Sequence, residues 1–115
     1  MAEFNETELA FLRGARLLGR LATVGADGMP HVAPVGWGLD AQGRFIEIGG
    51  RNFAATKKFR DVTKTGVAAI VIDEVLPPFR PRGVEIRGRA EALTGPDARI
   101  RIHPTRIHSW GLAPQ

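Results

Sequence analysis

The sequence predicts a mainly β protein in which about six antiparallel strands form a closed or nearly closed barrel with two short helices. Three observations support this fold class. The chain has 115 residues, which suffices for one domain but not for two with separate cores, so we expect residues 1–115 to form a single domain. Several apolar segments alternate with polar residues at the two-residue period of strands. Clusters of Gly, Pro, Asp and Asn separate these segments at short intervals, as turns do.

Composition limits the class of protein further. The chain contains no cysteine, so neither disulfides nor thiolate chemistry contributes, and its 43% of apolar residues can fill a core. The apolar runs are far shorter than the ~20 residues that cross a bilayer. The acidic N-terminus also lacks the pattern of a signal peptide. We therefore expect a cytoplasmic protein with no membrane partner.

Basic side chains are in excess but are dispersed along the chain. There are 16 basic and 12 acidic residues, which gives a net charge of +4, and 13 of the 16 are arginine. An excess of arginine is typical of a GC-rich genome, and this is our interpretation of most of these residues, although the guanidinium group also suits phosphate and carboxylate ligands. Because the charges do not run together, we expect a small anionic ligand and no nucleic acid partner.

The N-terminal half predicts one helix followed by three strands. Asn5 can cap a helix that runs to about Gly14, and Glu8 occupies the reciprocal position of a capping box. Strands are expected at 17–24, 30–39 and 44–48. Short turns join them, so they are expected to form an antiparallel meander. Pro34 removes one ladder hydrogen bond from the second strand, which places it at a sheet edge or beside something other than a strand.

The C-terminal half predicts a second helix and three further strands. Asn52 can cap the helix, whose expected range is 53–63. Strands are expected at 66–73, 82–93 and 100–110, with a loop at 75–81 and an interruption at Pro104. The first of these strands is apolar on both faces, as in a central strand covered on both sides. A barrel of this size fills its interior with side chains, so a larger ligand must bind outside, against loops or a second subunit.

No constellation of side chains in the sequence identifies a catalytic site. The three histidines, His31, His103 and His108, lack helical metal-ligand spacing, and the single serine, Ser109, lacks a nucleophile elbow. Phosphate-binding loop motifs are also missing. Hydrolysis through a nucleophilic side chain is therefore disfavoured, no metal site is expected, and the catalytic residues stay unassigned.

The segment 49–60 carries the strongest functional signal. Gly49 and Gly50 let a ligand approach the backbone closely, and the start of the following helix offers free amides and the positive end of a dipole. Four side chains add charge and a hydroxyl, those of Arg51, Thr56, Lys57 and Lys58. This pattern predicts a phosphate site; the alternative is an ordinary basic helix exposed to solvent.

Several blocks of the sequence resemble the pyridoxamine 5′-phosphate oxidase-like split β-barrels. Residues 21–37, LATVGADGMPHVAPVGW, are similar to the first hairpin of that family. Three further blocks look like its actinobacterial, deazaflavin-dependent branch: GGRNFAATKKFRDV at 49–62, PRGVEIRGRAEAL at 81–93 and IRIHPTRIHSWGL at 100–112. The resemblance covers nearly the whole chain, and the blocks occur in the order found in the family.

The resemblance implies a split β-barrel homodimer with two cofactor sites at the subunit interface. It implies that the cofactor phosphate is held by Arg51, Asn52, Thr56, Lys57 and Lys58. It implies that the ring system lies along the second and third strands, at Pro34, Val35, Gly36, Trp37 and Gly49. Trp110 could cover the site from the same or the partner chain. Alternatively, both tryptophans are ordinary aromatics of the core or the dimer interface.

The resemblance also implies the chemistry. The favoured cofactor is coenzyme F-420, a deazaflavin that passes hydride to an electron-poor double bond of a small substrate, and FMN is next. Arg80, Arg82 and Arg87 could bind the polyanionic tail of the deazaflavin. The turn between Leu93 and Arg99 is shorter than in many members of this branch, which implies a substrate pocket that is either more open or reduced, and which slightly favours a non-catalytic carrier over an enzyme. Two other classes stay open: a non-catalytic carrier of a flavin, haem or bilin, and a small nucleic-acid-binding barrel, which the dispersed arginines disfavour.

Overall fold

The computed structural model describes residues 1–113, within which it contains two α-helices, a 3₁₀ turn and seven strands. The helices are α1 (Glu6–Gly14) and α2 (Lys57–Thr65), and the 3₁₀ turn covers Phe53–Ala55. The strands are β1 (Gly19–Val24), β2 (Pro30–Val35), β3 (Gly38–Leu39), β4 (Ile46–Gly49), β5 (Val67–Leu76), β6 (Arg80–Leu93) and β7 (Arg99–Trp110). Neither helix of this part of the chain is long and apolar enough to cross a membrane.

The strands form one antiparallel sheet in the order β2-β1-β5-β6-β7-β4-β3. Its two edge strands, β2 and β3, are consecutive in sequence and are joined only by Gly36 and Trp37. This short connection brings the two edges of the sheet together, so the sheet curls into a barrel. The predicted class, an antiparallel barrel with two short helices, is confirmed. There are seven strands rather than six because the strand predicted at 30–39 breaks at this connection.

The meander predicted for the first three strands is confirmed in its pairings: β1 pairs with β2, and β3, which is the second part of the strand predicted at 30–39, pairs with β4. β4 also pairs with β7, so that Ile46 lies opposite both Leu39 and Ile102. The bend between β2 and β3 carries the chain from one edge of the sheet to the other. Pro34 lies on the edge strand β2, opposite Arg20, in agreement with its missing N–H group.

Helix α1 begins at the predicted cap. Asn5 Oδ1 accepts a hydrogen bond from the Glu8 amide at 2.8 Å, and Glu8 Oε1 accepts one from the Asn5 amide at 2.9 Å. The second oxygen of the buried Glu8 carboxylate accepts a hydrogen bond from the Ser109 hydroxyl at 2.6 Å. Glu8 therefore joins α1 to β7, and this contact gives the single serine a structural role.

Helix α2 begins at Lys57 rather than at Phe53, and its cap is Thr56 rather than the predicted Asn52. Asn52 adopts the left-handed conformation, with φ of 50°, and its side chain makes no cap hydrogen bond. The chain then forms the 3₁₀ turn, after which Thr56 Oγ1 accepts a hydrogen bond from the Phe59 amide at 3.3 Å. Asn and Thr are both preferred N-cap residues, so this short segment contains two candidate caps, and the sequence alone did not decide between them.

β5 and β6 form a long hairpin. Its pairing extends to Leu76 opposite Arg80, so the loop predicted at 75–81 is reduced to residues 77–79. β5 lies between β1 and β6, as the prediction of a central strand requires. Its outer face is only partly covered, however, since Val67 is 47% exposed.

β7 continues through Pro104, where an interruption was predicted. The strand passes this point with a bulge: Gly88 of β6 lies opposite Pro104, and the next pair leaves Thr105 without a partner. A Cβ atom on Gly88 would overlap the backbone carbonyl group of His103. Glycine is therefore required where the two backbones approach each other.

The interior of the barrel is filled with aliphatic side chains. Those with at most 1% exposure on the strands are Leu21, Ile46, Ile48, Ile70, Ile72, Val84, Ile86, Ile100 and Ile102. Helix α2 adds Phe59 and Val62 to the same core. A barrel packed in this way holds a larger ligand on its outer surface.

Candidate functional site

The two consecutive glycines lie where β4 ends and the chain turns toward α2. They line an open groove of about 570 Å³, which we call the glycine groove, together with Asn52, the 3₁₀ turn and residues 95–99. The atom nearest to a Cβ built on Gly50 would be a ring carbon of Phe53, at 3.7 Å. The backbone at Gly50 is therefore open to close approach by a ligand.

The start of α2 follows the glycine groove directly. The Thr56 hydroxyl donates to the Phe53 carbonyl oxygen at 2.7 Å while accepting from the Phe59 amide. The first amides of a helix have no intrahelical acceptors, so those of Lys57 and Lys58 are available to an anion. The predicted helix amides are therefore available to an anion, whereas the Thr56 hydroxyl is already used to cap the helix.

The two lysines at the start of α2 contact different neighbours. Lys57 Nζ donates to Asp61 Oδ1 at 2.9 Å, and Asp61 Oδ2 accepts from the Thr23 hydroxyl at 2.8 Å. Lys58 Nζ lies 5.8 Å from the centroid of the Phe53 ring, which lines the glycine groove. Lys58 therefore stands beside this groove, whereas Lys57 is held toward the end of β1.

Asp61 is a buried charged residue that the sequence analysis did not identify as functional. Burial acts to raise its pKa, but hydrogen bonds from Lys57 and Thr23, together with the positive charge of Lys57, outweigh burial and lower the pKa. An ionised carboxylate in this position retains the Lys57 ammonium beside it. The signal available in the sequence was the i,i+4 spacing of Lys57 and Asp61 on one helix.

The residues predicted to support a ring system do not lie on one continuous strand. Pro34 is exposed and Val35 is buried, as alternation along β2 requires. Gly36 and Trp37 form the bend after β2 and line a second groove, of about 670 Å³, with the end of α1. Trp37 Nε1 donates to the Leu17 carbonyl oxygen at 2.8 Å, which fixes the indole in the bend. This bend groove and the glycine groove are lined by different residues.

Trp110 lies on β7 and lines neither of these grooves. A Cβ atom on Gly83, its partner in β6, would lie 2.8 Å from Trp110 Cζ2 and 2.6 Å from Asp73 Cβ. The indole therefore packs across Gly83 toward β5. β7 and β2 are not neighbours in the sheet, so Trp110 and Pro34 do not face each other across a strand pair.

The three arginines suggested for a polyanionic tail do not form a single patch. Arg82 Nη2 lies 2.6 Å from Glu74 Oε2, and Arg87 Nε lies 3.2 Å from Glu85 Oε1. Since residues of a strand alternate between its faces, Arg82 and Arg87 project from opposite faces of β6, with Arg80 on the side of Arg82. The three arginines therefore do not share one face of a single subunit, and their binding of a tail stays a prediction.

The histidines of β7 take part in structural contacts. His103 is hydrogen bonded to Glu91, which lowers the pKa of that carboxyl, and its ring packs against Phe45. The ring of His108 lies 5.6 Å from that of Trp110. Within residues 1–113, no group of three or more His, Asp or Glu residues is arranged to hold a metal ion.

The fold and the site together define a small antiparallel split barrel with a cationic, glycine-rich loop between its fourth strand and second helix. A family model described as pyridoxamine 5′-phosphate oxidase matches residues 4–110. The chain belongs to this family, as its resemblance predicted.

Comparison with individual proteins adds one close relative and two similar structures. The 5a,11a-dehydrotetracycline/5a,11a-dehydrooxytetracycline reductase of Streptomyces rimosus is 44% identical over 120 aligned residues, covering 95% of this chain and 84% of the relative. A conserved hypothetical protein of Mycobacterium tuberculosis has a TM-score of 0.78 at 19% identity, over 94% of this chain and 85% of its own. An F-420 reductase has a TM-score of 0.69 at 21% identity, over 91% and 98%. At these low identities the two structures support the fold alone.

Proposed function

We propose that this protein is an oxidoreductase that binds coenzyme F-420 and reduces an electron-poor double bond of a small substrate. The observation that carries this proposal is the reductase from Streptomyces rimosus, which is 44% identical across 95% of the chain. This relative supports the enzyme class predicted from the sequence. The cofactor and the substrate are argued below from the residues of the site.

The donors at the start of α2 fit the anionic group of a flavin-type cofactor. The amides and ammonium groups of Lys57 and Lys58 can form charge-assisted hydrogen bonds to phosphate oxygens, which only accept. Arg51 and Asn52 are exposed between the glycines and the 3₁₀ turn, and can contribute further donors. Thr56 would keep the helix start in place, because its single hydroxyl proton is already donated to the Phe53 carbonyl oxygen.

The ring system would lie against the edge strand near the bend. Pro34 has no N–H group and is exposed, so this edge of the sheet can face a flat ring rather than another strand. Val35 is buried and would contribute its backbone only. Gly36 and Trp37 would continue this surface, since both line the bend groove. Gly49 would mark the phosphate end of the site.

The site favours a homodimer. Trp110 packs over Gly83 within its own chain, so we propose that the Trp110 that covers a ring at Pro34 comes from a second copy. An apolar row also crosses the outer face of β2, β1 and β5, where Val32, Ala22 and Ala69 lie opposite one another. Val32 is 67% exposed in the isolated chain. Burial of this row between two subunits would remove apolar surface from water, at about 25 cal/mol per Å².

In this mechanism the bound deazaflavin supplies the hydride. The residues of the chain bind and orient: Lys57 and Lys58 hold the anionic group, and the bend at Gly36 and Trp37 supports the ring. No side chain is assigned as proton donor, so the proton is expected to come from water. The chain thus contributes to the reaction mainly by positioning the cofactor.

The substrate class follows from the relative. The relative acts on dehydrotetracyclines, so a polycyclic enone is the substrate that we propose first. Residues 95–99 line the glycine groove, where the anionic group of the cofactor would bind. The substrate would therefore stack on the ring at the bend groove.

FMN is the second candidate cofactor, and one structural observation favours it. FMN carries the same kind of phosphate but lacks the polyanionic tail of the deazaflavin. The arginines suggested for that tail project from opposite faces of β6, and both Arg82 and Arg87 are paired with glutamates. The tail of coenzyme F-420 therefore needs other residues to bind it, whereas FMN has no such tail to bind.

The proposed activity can be tested by turnover under anaerobic conditions. Purified protein is mixed with reduced coenzyme F-420 and a polycyclic enone, and oxidation of the coenzyme is followed by absorbance. Consumption of both compounds in equal amounts, dependent on the protein, supports the proposal. Turnover with reduced FMN alone would assign the second cofactor, and no turnover with either, despite activity of the Streptomyces rimosus reductase in the same assay, would contradict it.

A further inference from the structure

We propose that Asp61 is a positioning residue for cofactor binding: its buried carboxylate, oriented by Thr23, holds the Lys57 ammonium where the anionic group of the cofactor binds. This inference rests on the proposed function, since it assumes that Lys57 contacts that group. It assigns a role to the charged residue that is buried beneath the start of α2.

The two partners differ strongly in exposure. The Asp61 side chain is 5% exposed and that of Lys57 is 47% exposed, although the atoms that join them are 2.9 Å apart. The carboxylate is therefore the fixed member of the pair, and the ammonium lies over it at the surface. An ammonium has three protons, of which this hydrogen bond uses one. The other two are available to the oxygens of a bound anion.

The orientation of the carboxylate is set by β1 rather than by the helix. Its Oδ2 atom accepts from the Thr23 hydroxyl at 2.8 Å, and its Oδ1 atom accepts from Lys57. Each oxygen thus has a separate partner on a separate element. At the other end of the helix, the Thr65 hydroxyl donates to the Val24 carbonyl oxygen at 2.8 Å, so α2 is joined to β1 at two levels.

The pair also occupies space that a side chain would otherwise fill. A Cβ atom on Gly25, directly after β1, would lie 2.6 Å from Asp61 Oδ1 and 3.6 Å from Lys57 Nζ. Gly25 does not have a positive φ, so close approach rather than turn geometry explains the glycine. The sequence of the β1–β2 turn is therefore fitted to this ion pair.

Stability alone does not account for such an arrangement. A buried carboxylate must be desolvated, and apolar side chains of similar volume are often at least as stabilising as a buried ion pair. A lysine that is already ordered, however, loses less conformational entropy when a ligand binds. The ion pair therefore preorganises Lys57 to bind an anion.

The test is a double-mutant cycle read out as the dissociation constant of coenzyme F-420, measured by tryptophan quenching without turnover. Asp61→Ala is expected to weaken binding about five- to tenfold, the size of coupling between residues in contact. Asp61→Asn keeps an acceptor for the ammonium and should stay within about twofold of wild type. In a Lys57→Ala background, Asp61→Ala should have no further effect. Lys64→Ala, an exposed lysine at the other end of α2, is the control for charge.

Each contrary result has a distinct meaning. If Asp61→Ala weakens binding equally with and without Lys57, Asp61 acts on the fold and the inference is wrong. Tighter binding by both Asp61 variants would show that Asp61 neutralises Lys57, which also contradicts it. If Lys57→Ala leaves the dissociation constant unchanged, the phosphate assignment fails and the inference fails with it. Should Asp61→Ala not fold, Thr23→Val removes only the orienting hydroxyl and is expected to weaken binding in the same Lys57-dependent manner.

Discussion

Trp110 and Pro34 belong to one sheet but lie on strands that three other strands separate. Trp110 packs over Gly83 of β6, whereas Pro34 lies opposite Arg20 at the sheet edge. The Trp110 indole is therefore engaged by Gly83 within its own chain. If Trp110 also covers a cofactor at Pro34, we expect the partner subunit to supply it.

Disruption of the proposed interface should separate the subunits. Val32→Glu places a charge in the exposed apolar row of β2, β1 and β5, where burial of an unpaired charge is strongly unfavourable. We expect a monomer by light scattering and a loss of cofactor affinity of about tenfold or more, because Trp110 of the partner is removed. Val75→Glu, at a residue 52% exposed near the tip of the β5–β6 hairpin, is the matched control and should stay dimeric. A wild-type protein that is monomeric with the cofactor bound would refute the interface.

Filling the glycine groove should block the anionic group of the cofactor. Gly50→Leu projects a side chain into the groove, and the nearest atom to its Cβ is 3.7 Å away, so the fold should tolerate it. Cofactor affinity should fall by about tenfold or more while the melting temperature changes little. Gly14→Leu, at a glycine with no atom near its Cβ position at the end of α1, should leave affinity unchanged. Equal affinity of the two variants would place the anion elsewhere.

The stability of the protein should depend on acid through Asp61. Its pKa in the folded state lies below the usual value of 3.8, because the hydrogen bonds from Lys57 and Thr23 outweigh burial. The ionised carboxylate therefore stabilises the fold fully above the unfolded pKa, and this contribution is lost as the pH falls through the folded pKa. Denaturant unfolding between pH 7 and pH 3 should show a smaller acid-induced loss of unfolding free energy for Asp61→Asn than for wild type. Parallel curves for the two proteins would contradict this origin of acid sensitivity.

The bulge in β7 should make Gly88 intolerant of any side chain. Gly88→Ala places a Cβ atom on the His103 carbonyl group, so the two backbones must separate. We expect the free energy of unfolding to fall by about 2–4 kcal/mol, in the range of strained core substitutions. Gly38→Ala, where no atom lies within 4 Å of the Cβ position, should change it by less than about 0.5 kcal/mol. Similar unfolding midpoints for the two variants in urea would show that the bulge adapts.

Local signals predicted the parts of the fold that depend on local contacts. Asn5 and Glu8 identified the start of α1 because both partners of the capping box lie within four residues. The strand at 30–39 was predicted as one segment because its break is not a local feature. Its first part, β2, pairs with β1, and its second part, β3, pairs with β4 at the other end of the sheet. Pro104 appeared to end a strand because a bulge opposite Gly88 cannot be read from one strand alone.

The candidate site was predicted in composition but not in geometry. The glycines and the helix start do lie together, since they are adjacent in sequence. The i,i+4 spacing of Lys57 and Asp61 was visible in the sequence, but the burial of the carboxylate and its hydrogen bond from Thr23 were not, because Thr23 lies on a strand 38 residues away. The sequence also did not reveal that Trp110 packs across Gly83, since that contact follows from the pairing of β6 with β7.

The most direct test of the account is titration of the purified protein with coenzyme F-420 and, separately, FMN and haem, followed by quenching of tryptophan fluorescence. Trp37 in the bend groove provides a reporter close to the proposed ring. The account predicts tight, saturable binding of coenzyme F-420 that Lys57→Ala and Lys58→Ala weaken and Lys64→Ala does not. Binding of neither coenzyme F-420 nor FMN, or binding that is indifferent to both lysines, would contradict it.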